Sequence, residues 1–319
     1  MNVETRGQGG FPEGMLEDKI AVVTDSGKGM GREIAVLMAR EGARLVIHDS
    51  GGPESGGRGC PSLAEEVARE IRDRGGHALS TSEPIASWAG AHRLIQTSLD
   101  HFGRVDILVN NVHIPVDHQG HTMLETKAED WAAVLRGHLK SSFCCTRAAL
   151  PYMRAQRQGC LIHFVSAAGL IGEVGQASCG AVSMAVAGFS RNVAIEMERY
   201  RVTSNCIAPI PLYKSVSAIS QGTQKQEEGI QGIQERGPLD VAPLVVFLAS
   251  ESGRRLSGQI FGVRGREILL FSQSRIQRSI HNSEGWTVER LSGVLECAMR
   301  PHFTPMESSD AYFSWDPMI

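Results

Sequence analysis

The 319-residue chain has no excess of positive charge: 32 lysines and arginines against 35 aspartates and glutamates leave a net charge of -3. A nucleic-acid-binding surface normally shows as a basic excess or stripe, so no nucleic-acid partner is expected. Long apolar runs are missing too. The longest, "APLVVFLA", falls far short of the roughly 20 residues that span a bilayer, so it reads as core and no membrane partner is expected. The opening stretch "MNVETRGQGGFPEGM" is polar and glycine-rich, lacks an apolar segment of secretory type, and predicts a loose tail over residues 1–16. Seven cysteines show no metal-ligand spacing, which predicts reduced thiols, no metal site and a cytoplasmic setting. Cys144 and Cys145 are neighbours on a helical pattern, point in different directions and make a poor ligand pair.

What is present is a regular alternation. "KIAVVT", "ARLVIHD", "HALSTSE", "VDILVNN", "CLIHFVS", "VTSNCIAP" and "GQIFGV" read as strands, separated by longer patterns of helical period. Strands alternating with such helices imply βαβ units and a single doubly wound parallel sheet of α/β class. The expected domain runs over residues 17–265, with an irregular C-terminal extension over 266–319. "SGGPESGGRGCP" reads as a long glycine-rich loop, and the polar stretch 221–237 sits where a lid would.

The glycine turn "TDSGKGMG", the pair "NN" after the fourth strand, and a serine before the helix "SCGAVSMAVAGF" resemble the short-chain dehydrogenase/reductase family over about residues 17–265. "HDSGG", "SLAEEVAREI", "HLKSSF" and the long C-terminus are similar to the branch that includes the hydroxyacyl-CoA dehydrogenase domain of peroxisomal multifunctional enzymes. The resemblance implies a dinucleotide held by Gly27, Gly29 and Gly31, with Asp49 on the adenosine ribose and so NAD preferred to NADP, and with Asn110 beside the cofactor. Lys28 offers the only hint of a 2′-phosphate, and Glu83 stands at the family's adenine-contacting aspartate.

The same resemblance exposes departures. Asp25 replaces the first glycine of the turn, where an L-residue strains the backbone and a carboxylate faces two phosphates. Val112 and His113 stand where the family has alanine and glycine, and Ile210 stands where it has glycine or asparagine. At the reacting centre Ser166 aligns with the family serine, but Cys179 stands for the tyrosine and Ser183 for the lysine. His138 takes the place of the relay asparagine, as in the similar branch. A cysteine sulfur falls several ångströms short of a tyrosine hydroxyl, whereas general acid catalysis needs contact of about 2.6–3.2 Å. Tyr213 and Lys214 offer a relocated pair, though adjacent loop residues do not reproduce a pair one helical turn apart.

Scaffold kept and site emptied predicts a redox-inactive member, with NAD binding weakened or lost. Its expected role is that of a structural or regulatory subunit, as a homo-oligomer or beside an active paralogue. The helix "SMAVAGFSRNVAIEM", apolar on more than one face, suits such an interface and suits core burial equally. A second reading is a repurposed enzyme of isomerase, dehydratase or cyclase type, using His113, His138, His163, Asp117 and Ser166. A third is a divergent NAD-dependent oxidoreductase acting on a hydroxyacyl-CoA or steroid-like alcohol.

Overall fold

The computed structural model describes residues 14–51, 62–112, 122–210 and 239–315. The predicted glycine-rich loop, the lid stretch, and residues His113, Asp117, Tyr213 and Lys214 lie outside or almost wholly outside these.

Among the described residues eight strands form one sheet in the order β3-β2-β1-β4-β5-β6-β7-β8. They are β1 (Ile20–Val23), β2 (Arg44–His48), β3 (Ala78–Thr81), β4 (Ile107–Asn110), β5 (Gly159–Phe164), β6 (Val202–Pro209), β7 (Ile260–Arg264) and β8 (Glu267–Leu270). All neighbours pair in parallel until β8, which turns back antiparallel along β7. The helices that connect them are α1 (Gly29–Arg40), α2 (Leu63–Asp73), α3 (Trp88–Phe102), α4 (Ala128–Val134), α5 (Ser141–Gln156), α6 (Ala167–Ile171), α7 (Ala177–Met197) and α8 (239–249).

Strand side chains alternate between two helical layers, as a period of two requires. Ala21, Val23, Leu45, Ile47, Ile107 and Val109 join one core with α1, α2 and α8. Val22, Val46, Leu108 and Leu161 join the opposite core with α3, α5 and α7. Burial on both faces is why these strands read as unbroken apolar runs rather than as alternating ones. Each fully buried leucine or isoleucine contributes about 1.5–3 kcal/mol.

Three features lie beyond the expected outline. Leu16, expected in the loose tail, is fully buried, and its N–H donates to Glu41 O at 2.8 Å. The sheet does not end at residue 265, because β8 extends it. Between α4 and α5 the chain widens into a π-helical segment, Leu135–Lys140, which carries His138.

The strand order reverses between β1 and β4. In open α/β sheets the crevice at such a switch point, outside the carboxyl ends of the strands, is where ligands bind. The glycine turn and the Asn110–Asn111 pair both leave the sheet there.

Candidate active site

The glycine turn is built as a nucleotide turn needs. A Cβ on Gly27 would meet Asp49 Oδ2 at 2.5 Å and Leu63 Cβ at 2.6 Å. One on Gly31 would meet Asn111 Nδ2 and Asp25 O, both at 2.5 Å, so neither position admits a side chain without rearrangement. Gly29 opens α1 at φ 56° with open space beyond it, leaving the first helical N–H groups facing the crevice. Asp49 is drawn into the turn: its Oδ2 accepts from Gly27 N–H at 3.1 Å and its Oδ1 from Gly51 N–H at 3.0 Å.

Asp25 does sit in the left-handed region, at φ 46°. Its N–H donates to His48 Nδ1 at 3.3 Å, so the His48 proton is on Nε2, which donates to Glu83 O at 2.8 Å. Burial lowers the His48 pKa, against smaller raising effects from the Glu83 carbonyl and the Asp49 and Glu83 charges. The Glu83 carboxylate is held by Arg93 at 2.8 Å.

Asn110, expected beside the cofactor, turns its side chain into the core. Its side chain is fully buried, with Nδ2 3.1 Å from Thr146 Oγ1 and 3.2 Å from His163 Nδ1. Asn111 faces the turn instead, donating to Thr24 O at 3.2 Å and Asp25 O at 2.9 Å. The two asparagines differ because successive strand positions face opposite sides.

At the carboxyl end of β5, Ser166 stands at the N-cap position of α6 without a side-chain cap bond, and both Ser183 and Cys179 hydrogen-bond with it. Ser183 is fully buried, and its Oγ accepts the Ser166 N–H at 3.0 Å. A Cβ on Gly169 would lie 2.6 Å from Ser183 Cβ, so α6 presses directly on that position. Cys179 is 5% exposed, in an apolar cluster with Val134 and Val182. Burial pushes its thiol pKa up, and a hydrogen bond with the Ser166 side chain offsets only part of that. The thiol is therefore protonated at neutral pH.

His138 is buried as well. Its Nε2–H donates to Phe164 O at 2.9 Å, and among the described residues its Nδ1 has no partner. Burial lowers its pKa more than that carbonyl raises it. His163, a candidate proton carrier, lies inside β5 without exposure, and burial, with His138 nearby, pushes its pKa down to about 3. It is a neutral core residue packed edge-on to Phe189 at 5.7 Å. His138 and His163 thus form a buried pair beneath the site, not a pair facing a substrate. Among the described residues no group of three or more histidine, cysteine or acidic side chains could hold a metal.

Tested against a nicotinamide dinucleotide, the adenosine side fits: the glycine cradle, the helix terminus and Asp49 are in place. The other side does not. Val112 and Ile210 put buried branched side chains where the resemblance implies small ones, and among the described residues Cys179 and Ser183, not a tyrosine and a lysine, stand beside Ser166.

Fold and site together define a doubly wound α/β protein with a polar site at the ends of β4 and β5. The short chain dehydrogenase family matches residues 19–225, and the chain belongs to that family. A Mycobacterium tuberculosis protein described as a short-chain type dehydrogenase/reductase is 36% identical over 236 residues, 74% of this chain and 79% of that one. The Drosophila melanogaster peroxisomal multifunctional enzyme type 2 is 39% identical over 74% of this chain, which spans only 37% of that enzyme's length. A crystal structure of a short chain dehydrogenase from Mycobacterium avium superposes with a TM-score of 0.80 at 31% identity, covering 92% of this chain and 99% of that one.

Proposed function

We propose that this short-chain dehydrogenase has lost NAD(P)-dependent redox catalysis and serves as a structural or regulatory subunit, as a homo-oligomer or beside an active paralogue. One observation carries the reading. Where the family lysine would hold the nicotinamide ribose, the Ser183 hydroxyl instead accepts the Ser166 N–H inside the core. The proton donor's place is taken by Cys179, a buried thiol with a raised pKa. Asp25 in the nucleotide turn supports weakened NAD binding. Met184 and Ile195 on α7 and Phe143 on α5, all about half exposed or more, supply apolar surface for an oligomer. Six cysteines are free among the described residues, five of them buried, which supports a reducing, cytoplasmic setting.

The test is turnover. Purified protein with NAD and a panel of hydroxyacyl-CoA and steroid alcohols should form no NADH, and calorimetric titration with NADH should show no binding tighter than about millimolar. Steady NADH formation by the unmodified chain would overturn the reading in favour of a divergent oxidoreductase, the activity its relatives' names carry.

A further inference from the structure

The carboxyl edge of the sheet is covered over three adjacent strands by the chain's own C-terminal segment. Residues 309–312 form a short helix that docks on the loop between α6 and α7, the loop joining Ser166 to Cys179. Ser309 N–H donates to Gly172 O at 2.7 Å, and its hydroxyl donates to Glu173 Oε2 at 2.6 Å. Asp310 N–H reaches the same carboxylate oxygen at 3.2 Å.

Phe313 follows, 7% exposed, in an apolar cluster with Val165 and Ala167 on either side of Ser166 and with Ile210 at the end of β6. The next strand supplies the anchor. Arg264, the last residue of β7, is fully buried, and its Nη2 donates to Phe313 O at 3.2 Å and Trp315 O at 2.6 Å. Its guanidinium lies 5.8 Å from the centre of the Phe313 ring and 5.0 Å from that of Trp315. Trp315 in turn donates its indole N–H to Glu267 at 3.2 Å, and Glu267 lies 3.7 Å from Arg264. A buried arginine is costly unless its charge is compensated; here two backbone carbonyls accept from Nη2, and the Glu267 carboxylate and two ring faces lie close enough to offset the charge. The contacts tie 309–315 to the ends of β5, β6 and β7 at once, beside Ser166.

We propose that residues 308–315 are an intramolecular strap occupying the substrate side of the cleft. Phe313 fills an apolar pocket beside Ser166, and Arg264 is the latch. A ligand taking this place would carry an aromatic or aliphatic group that displaces the Phe313 ring. The strap does not depend on whether the cleft retains redox chemistry, so either conclusion survives failure of the other.

Hydrogen exchange read by mass spectrometry on the full chain tests it. In the unmodified protein 309–315 and 166–173 should both be protected. Phe313→Ala should speed exchange of 166–173 at least tenfold, leave 159–164 unchanged, and let anilinonaphthalene sulfonate bind where the unmodified chain binds none. Exchange of 309–315 at unstructured rates in the unmodified protein would overturn the proposal, as would unchanged protection of 166–173 in the variant. Should Phe313→Ala loosen 159–164 as well, Ser309→Ala decides, since it removes one hydroxyl. Faster exchange in both 309–315 and 166–173 supports the strap, and faster exchange in neither overturns it. Protection that falls on dilution would assign the segment to a second copy and overturn the intramolecular reading.

Discussion

Lowering the pH from 7.5 to 5 should destabilise this protein through His163. In the unfolded chain that imidazole takes a proton near pH 6.5, whereas in the folded chain burial holds its pKa down to about 3. Between those values the unfolded state binds the extra proton, so stability is complete above pH 6.5 and is lost as the pH falls toward 3. The loss runs at about 1.4 kcal/mol per pH unit, so 1.5 units below the unfolded pKa it reaches about 2 kcal/mol. The buried His138 and His48 act in the same direction, because burial lowers both. Urea unfolding at pH 7.5 and pH 5, on the unmodified chain and on His163→Asn, isolates the one residue. The asparagine can still meet Asn110 but does not titrate. The variant should lose about 2 kcal/mol less than the unmodified chain between the two pH values. Equal losses would mean that His163 is protonated or solvated in the folded state, and would refute its placement as a neutral core residue.

Other perturbations read other parts of the site. Ser183→Ala strips the Ser166 N–H of its acceptor and should cost about 1–3 kcal/mol by urea unfolding, while an unchanged midpoint would refute the capping role. Asp25→Gly removes a left-handed L-residue and should gain about 1 kcal/mol, read as a rise in melting temperature, and should also tighten NADH binding by calorimetry. Asn111→Ala releases two turn carbonyls and should cost about 1–3 kcal/mol, with faster hydrogen exchange confined to 24–31. Cys179→Tyr with Ser183→Lys places a tyrosine and a lysine one helical turn apart beside Ser166 and, on the proposed function, should bring NAD-dependent turnover above the unmodified chain's background. No gain would mean that the cleft is blocked elsewhere, with Val112, Ile210 and Phe313 the first places to look.

The parallel sheet could be read from the sequence because its cause is local: apolar runs of strand length, each followed by a helical period. The glycine turn was equally legible from its glycine spacing after a strand, although the groups that exclude a side chain at Gly27 and Gly31 include the distant Asp49, Leu63 and Asn111. Cys179 and Ser183 could be placed by counting along one helix. Asn110 and Asn111 could not be told apart in the same way, because which of two successive strand residues faces the core is settled by α5 and β5, both distant in sequence. His163 looked like a proton carrier for the same reason: its residue type is visible in the chain, and its burial is not. The π-helical segment at 135–140 leaves no mark in the order of apolar residues. Leu16 was hidden in polar, glycine-rich company. The C-terminal strap was missed most completely. Its partner Arg264 lies some 50 residues away, and nothing in "VRGRE" announces a buried guanidinium.

The nucleotide turn belongs to the order in which the chain folds as much as to its chemistry. Thr24 N–H is bonded to Val109 O, and the carbonyl of Asp25 to the amide of Asn111, across 85 and 86 residues respectively. The turn is made from residues near the start of the chain, yet it cannot hold its shape until β4 has paired with β1. During synthesis the first third of the protein therefore emerges with its anion cradle unformed. Contacts so distant in sequence are slow to close, because loop entropy is lost before they contribute. Occupancy of that cradle by any ligand would consequently report that β4 has paired with β1.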